Sequence, residues 1–557
     1  MSCALRLVLV FVVLFGAGFA SAAELLIDNV NGYTLDKSGA LQRFEAMLVD
    51  KGKVVAIGSH ADLSPRAEDA GRVDGEGRTL LPGLIDAHGH VMGLGEMSLQ
   101  ADLAGTTSLQ DALARVRTFA AENPESAWVI GRGWNQVTWK LGRFPTAKEL
   151  DAVVSDRPAL LSRIDGHAAW ANSAALKLAG IDVDTRDPAG GRIERDAEGN
   201  PSGVLVDGAI ALVESKVPSA TSAQRQQALT LALRQMASVG LTGVQDAGID
   251  RQTYALYRKF ADQGKLTARI YAMIGGTEHD FDAISRSGPL VGYGKDFLSV
   301  RSVKLYADGA LGSRGAALLA PYADDPDNSG LLFNTPDTLT AMIGKALGKG
   351  YQVCVHAIGD RANRQVLDSF AAAYANVGGR KLRNRIEHAQ VVALSDIPRF
   401  LELDLIASMQ PTHATSDMNM AEDRVGAERI KGAYAWQRFL EQGTRIAAGS
   451  DFPVESANPF FGLHAAVTRQ DHQGRPPGGW HADQAMSVRE ALRAFTLDAA
   501  YAAHQEDALG SLEPGKWADF ILVDQDIFTV DPSRIPMTRV LGTWVAGKRV
   551  FERPSPP

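Results

Sequence analysis

Five residues in this chain have types and settings that suit the capture of a metal ion. Asp86-Ala87-His88-Gly89-His90 closes an apolar run, LLPGLIDAH. Side chains at i and i+2 of a strand share a face, so His88 and His90 can aim two imidazoles at one point. Gly89 between them permits close approach by another backbone or a ligand. Two histidines this close also arise by chance in long chains, but the remaining histidines add to the pair. Of the twelve in the chain, His356 (VCVHAIGD) and His388 (NRIEHAQ) each end a separate apolar run, and Asp451 ends another in AAGSDFP. Each has an ordinary reading, as a satisfied core histidine or a capping aspartate. For all five at run ends, coincidence is a poor explanation, and imidazole with carboxylate suits zinc and similar divalent ions.

Something must bring these run ends together. Eight short apolar runs are bounded by turn or helix signals: LLPGLIDAH, GLTGVQDAG, LTARIYAMI, VRSVKLYADG, YQVCVHAIGD, NRIEHAQ, LDLIASMQP and TRIAAGSDFP. Amphipathic stretches such as TLTAMIGKALGKG follow or precede most of them. Doubly buried strands alternating with helices predict a parallel α/β sheet, and eight such units predict a closed (β/α)₈ TIM-type barrel over residues 81–104 and 240–504. In such a barrel all strand C-termini converge on one mouth. Residues 105–239, with WVIGRGWNQVTW and LLSRIDGHAAWANSAAL, fit no single βα unit and are expected to be an insertion after the first strand, over that mouth. Alternating apolar residues with Gly-rich turns at both ends predict one composite β-sandwich from 23–80 and 505–557.

At 557 residues, with 45% apolar and 22% charged, the composition is that of a large globular protein able to fold without metal or disulfide. The net charge of −8 and the lack of a basic run exclude a nucleic-acid partner. Arg6, the apolar run Leu7–Ala20 and the small-x-small Ala20-Ser21-Ala22 form a signal peptide over 1–22. The expected mature protein is therefore exported, periplasmic or secreted, begins near Ala23 and has no membrane attachment. Cys3 belongs to that signal, which leaves Cys354 without a disulfide partner and set as a buried strand residue.

The pattern of HxH after strand 1, histidines after strands 5 and 6 and aspartate after strand 8 resembles the amidohydrolase superfamily. Within it the chain is similar to amidohydrolase family 3, which includes N-substituted formamide deformylase-like enzymes. The likeness runs through LPGLIDAHGH, DGHAAWAN, VKLYADGALGSRGA, VHAIGDRA, IEHAQ, GSDFP and GSLEPGKWADFILVD, and so covers essentially the whole mature chain. It gives Lys304 a meaning. A lysine inside an apolar strand is costly when charged, and would otherwise be read as snorkelling or salt-bridged. The resemblance implies that Lys304 is carboxylated and bridges two metals, and burial does favour the neutral amine that carbamate formation requires. The implied ligands are His88, His90, Lys304, His356, His388 and Asp451, for one or two divalent ions, zinc above all. The implied activity is hydrolysis of a C–N bond (amide, N-acyl or N-formyl) in a small molecule, with Asp451 shuttling the proton.

Weaker candidates for substrate contact are His167 in DGHAAWAN, Trp134 as an apolar wall, Asp308 and Arg314 beyond strand 4, and Gln410 at the end of strand 7. Each has a plain structural alternative: an exposed loop histidine, a core tryptophan, a surface ion pair. His413, His464, His472 and His481 have no motif support and are read as structural or surface. A mononuclear deaminase of the same superfamily is the rival enzyme, but it typically carries Glu three residues after the strand-5 histidine, where this chain has Gly359. A non-catalytic periplasmic binding protein on the same barrel is the rival of another class. The sequence leaves the oligomeric state open, with a homodimer among the options.

Overall fold

The computed structural model describes residues 24–164, 166–188 and 190–554; the expected signal sequence and Cys3 lie outside the described residues. Among the described residues, eight parallel strands follow one another around the expected barrel. They are β1 (Leu84–Gly89), β2 (Leu241–Ile249), β3 (Arg269–Gly275), β4 (Leu298–Tyr306), β5 (Gln352–Ala357), β6 (Arg385–His388), β7 (Ile406–Met409) and β8 (Ile446–Ala448). Each pairs in parallel with the next, from β1 with β2 to β7 with β8. The strands are almost wholly buried on both faces, as the continuous apolar runs require.

The closing seam between β8 and β1 is made by few groups. The Asp451 N–H donates to the His88 carbonyl at 2.7 Å. Gly449 lies so close to β1 that an added Cβ would stand 2.5 Å from the His88 nitrogen, so only glycine fits there. The buried Asp86 carboxylate accepts from the Ser450 N–H and hydroxyl and from the His88 N–H. The seam therefore draws Asp451 and His88 together by backbone geometry before any metal enters. Cys354 packs against Ala247 and Met273 inside the barrel, in the apolar setting expected of it.

Both chain ends build the satellite. A four-stranded sheet (Leu25–Asp28, Ala46–Asp50, Lys53–Gly58, Gly71–Asp74) packs on a six-stranded one, around Ile27, Met47, Leu80 and Phe520. In the six-stranded sheet Thr79–Pro82 pairs antiparallel with Phe520–Val523 from the far end of the chain. A buried ion pair, Arg269 Nε to Asp519 Oδ2 at 2.6 Å and Nη2 to Oδ1 at 3.0 Å, ties this unit to β3.

The insertion departs from the expected bounds. Its six-stranded sheet starts at Ala101–Asp102 and runs to Pro201–Asp207. The helix Ser222–Ser238, expected to belong to it, is a barrel helix instead. Its Leu229, Leu233 and Met236 pack in the same core as Leu241 of β2. Gly95 of the helix Val91–Met97 meets the Ala228 backbone with no room for a side chain. Leu229, Leu233 and Met236 recur at helical spacing, and that stripe needs the barrel to cover it. Among the described residues, no helix is long and apolar enough to cross a membrane.

Candidate metal centre

β1 ends at the barrel mouth, and the alternation of its side chains turns His88 inward, fully buried. His88, His388 from the end of β6 and Asp451 from beyond β8 offer donor atoms that all lie within 4.8 Å of one another. His90 Nε2 stands 3.0 Å and His88 Nε2 3.6 Å from Asp451 Oδ1. Lys304, 1% exposed on β4, places Nζ 3.1 Å from His88 Nε2. His356, on β5, packs edge-on against His388 with ring centroids 4.5 Å apart, and its Nε2 lies 3.6 Å from Asp308 Oδ1. The structure thus gathers His88, His90, Lys304, His356, His388 and Asp451 at one end of the barrel.

The electrostatics suit a cation. Burial, reinforced by the charge of Lys304, lowers His88 to about 4 and His356 to about 3. Burial and the neighbouring imidazole of His356 hold His388 well below its ordinary value. All three are therefore neutral near pH 7, the form that ligates metal. Lys304 is lowered too, chiefly by burial. Burial alone would raise Asp451, but the hydrogen bond from His90 leads the opposing effects, and together they keep the carboxylate ionised. His356 Nε2 is buried yet has no hydrogen-bond partner, and Asp451 Oδ1 has His90 Nε2 beside it at 3.0 Å. Unpaired buried donors and acceptors are costly. Lone pairs of imidazole and carboxylate facing one tight space fit a divalent ion.

The support behind these ligands is extended. Glu387 Oε2 accepts from His88 Nδ1 at 2.5 Å, which leaves Nε2 free to face the centre. The other oxygen of Glu387 binds Arg385 Nε, and Arg385 reaches on to Gln245 and, at 2.7 Å, to the Ala87 carbonyl. Arg385 and Glu387 were not among the expected site residues. The signal was there: two charges in a four-residue strand with every residue buried.

The secondary candidates fall elsewhere than expected. Gln410 Oε1 accepts from His388 Nδ1 at 2.8 Å and so fixes the orientation of that imidazole. The Asp308 carboxylate, pushed up to about 7 by burial, is committed to the backbone N–H groups of Ala317, Ile358 and Gly359. Arg314 pairs with Asp324 at 2.9 Å. Trp134 is fully buried in the insertion's own core beside Trp139, Phe144 and Trp170, and its indole N–H donates to the Leu161 carbonyl. A bulky indole with a satisfied N–H is worth more as core than as pocket wall. His167 is exposed and lies 2.8 Å from Asp207. His413, expected to be structural or surface, instead stands at the mouth, its Nε2 3.7 Å from Asp451 Oδ2.

The barrel, the composite β unit and a histidine-rich mouth with an inward lysine define a metal-dependent hydrolase. The chain belongs to the amidohydrolase family, whose model matches residues 72–551. It is 34% identical over 533 residues to YtcJ of Bacillus subtilis, covering 94% of this chain and 98% of that one. It is 28% identical over 548 residues to the N-substituted formamide deformylase of Arthrobacter pascens, covering 95% and 98%. The solved structure of a metal-dependent hydrolase from Pyrococcus horikoshii superposes with a TM-score of 0.76 at 27% identity, over 91% of this chain and 99% of that one.

Proposed function

We propose that this protein hydrolyses a carbon–nitrogen bond, an amide, N-acyl or N-formyl group, in a small molecule outside the cytoplasm. The observation that carries the reading is the setting of Asp451: a buried carboxylate kept ionised between imidazoles, 3.0 Å from His90, in a mouth that also holds Lys304. His88, His90, Lys304, His356, His388 and Asp451 would hold one or two zinc ions, with Lys304 as its carbamate. When bound, such an ion supplies Lewis-acid polarisation of the carbonyl and an activated water near neutral pH.

The chain's own residues do the rest. Asp451 takes the proton from water and returns it to the leaving nitrogen. Glu387 and Gln410 lock the tautomers of His88 and His388, so their Nε2 atoms keep a fixed aim. The Asp451 N–H bond to the His88 carbonyl fixes the distance between the proton shuttle and the first ligand strand. The relative that deformylates N-substituted formamides supports an N-formyl or N-acyl substrate. Lys304 in the mouth, with glycine at position 359, favours this reading over deamination. Export after cleavage near Ala23 completes the proposal, and N-terminal sequencing of the secreted form tests it.

The deciding experiment is a metal-reconstituted screen of N-formyl compounds, N-acyl amino acids, simple amides, esters and cyclic imides. Turnover concentrated on N-acyl or N-formyl compounds is expected. Ammonia release from aminated heterocycles alone, or no turnover by metal-loaded protein, would overturn the reading.

A further inference from the structure

His413 lies in the first turn of the helix Pro411–Asp417, immediately beyond β7. Its imidazole stacks on that of His388, with centroids 5.8 Å apart and planes 19° from parallel. Its Nε2 is buried and has no hydrogen-bond partner. At this mouth the same two properties mark His356 Nε2. Buried nitrogen atoms without a protein partner beside an ionised carboxylate suit a bound cation, which satisfies their lone pairs.

The two oxygens of Asp451 face different imidazoles. Oδ1 faces His90 at 3.0 Å and His88 at 3.6 Å, while Oδ2 faces His413 Nε2 at 3.7 Å. A direct hydrogen bond would need a separation of no more than about 3.2 Å. Two donor atoms each about 2.1 Å from one ion stand about 3–4 Å apart, which is the spacing found here. The segment is already tied to the centre, because Gln410, three residues earlier, orients His388.

We propose that His413 is a further ligand of the metal centre, binding a divalent ion through Nε2 on the Oδ2 side of Asp451. Asp451 then has an imidazole partner at each oxygen, and the strand-7 end contributes directly to the centre. The inference rests on the mouth being a metal site and is independent of which bond is cleaved.

Cobalt(II) is the probe. Wild type, His413→Ala and His413→Gln are loaded with Co²⁺, with circular dichroism to check folding. In His413→Ala the d–d absorption should change shape, X-ray absorption should count one imidazole fewer, and Co²⁺ should bind at least roughly 10-fold more weakly. Free imidazole, which fills the space vacated in His413→Ala, should restore the wild-type spectrum. Should the alanine variant not fold, the same loss of one imidazole is expected in His413→Gln. An unchanged cobalt spectrum and imidazole count in a folded variant would overturn the proposal, whatever happens to activity. Wild-type protein that binds no Co²⁺ would overturn it together with the metal centre, whereas a negative substrate screen on cobalt-replete protein would strike only the proposed reaction.

Discussion

Glu387 Oε2 lies 2.5 Å from His88 Nδ1, although the two residues are 299 positions apart. Both are fully buried, and the second oxygen of Glu387 is held by Arg385. Burial would raise the Glu387 carboxyl, but Arg385 and His88 together hold it well below the ordinary range. The anion is thus stable where a lone buried carboxylate would not be. It fixes which nitrogen of His88 faces the centre.

Replacing that anion with a neutral isostere is the first prediction. Glu387→Gln keeps the shape and an oxygen that can accept from His88, but loses the charge. Metal affinity should fall roughly 10–100-fold, as is typical when a ligand's supporting partner is altered. Metal titration of folded protein checks it; wild-type affinity would show that His88 needs no such support.

Lys304→Ala should abolish turnover, and short carboxylic acids such as formate or acetate should restore part of it. A small carboxylate can stand in for carbamate oxygens, whereas it cannot replace a structural ammonium group. Steady-state rates with and without added acid decide between the two. Full activity in the unrescued variant would leave Lys304 as a buried core lysine only.

Asp451→Asn keeps an oxygen for the metal but cannot accept a proton near neutral pH. With metal largely retained, kcat should drop about 10²–10⁴-fold. KM should move far less, because the lost interaction belongs to the transition state. A metal-replete variant with near-normal kcat would place the proton shuttle on another residue.

Arg269→Ala removes one partner of the pair that joins β3 to the composite β unit, leaving Asp519 charged and buried. Breaking such a pair costs about 3–5 kcal/mol. Denaturant unfolding of the metal-free protein should show that loss. The double change Arg269→Met with Asp519→Leu should recover much of it, because no unpaired charge remains. A stability loss below about 1 kcal/mol in Arg269→Ala, the range of exposed pairs, would show that the pair contributes little to holding the two units together.

Much of the barrel and its metal-facing end could be read in the linear chain. Period-two alternation puts His88 and His90 on one face, and eight apolar runs in parallel convert the run ends at His356, His388 and Asp451 into neighbours. Lys304 stands out because a charge inside an apolar strand is costly anywhere. Local pattern sufficed for these because strand ends of a parallel barrel meet whatever the loops do. The edge of the insertion was not legible in that way: the stripe on Ser222–Ser238 is amphipathic in either setting, and only packing shows that the barrel covers it.

The support of the centre was decided by the fold alone. That Glu387 meets His88, that Gln410 holds His388, that Asp308 is spent on three backbone N–H groups and that His413 faces Asp451 all depend on register between strands far apart in sequence. Trp134 shows the same limit from the other side, since an indole reads alike whether it lines a pocket or fills a core. Residue type and spacing determine which groups can reach the mouth of this barrel. Which of them touch one another is set by barrel closure and side-chain packing, and these are properties of the assembled chain that no local window contains.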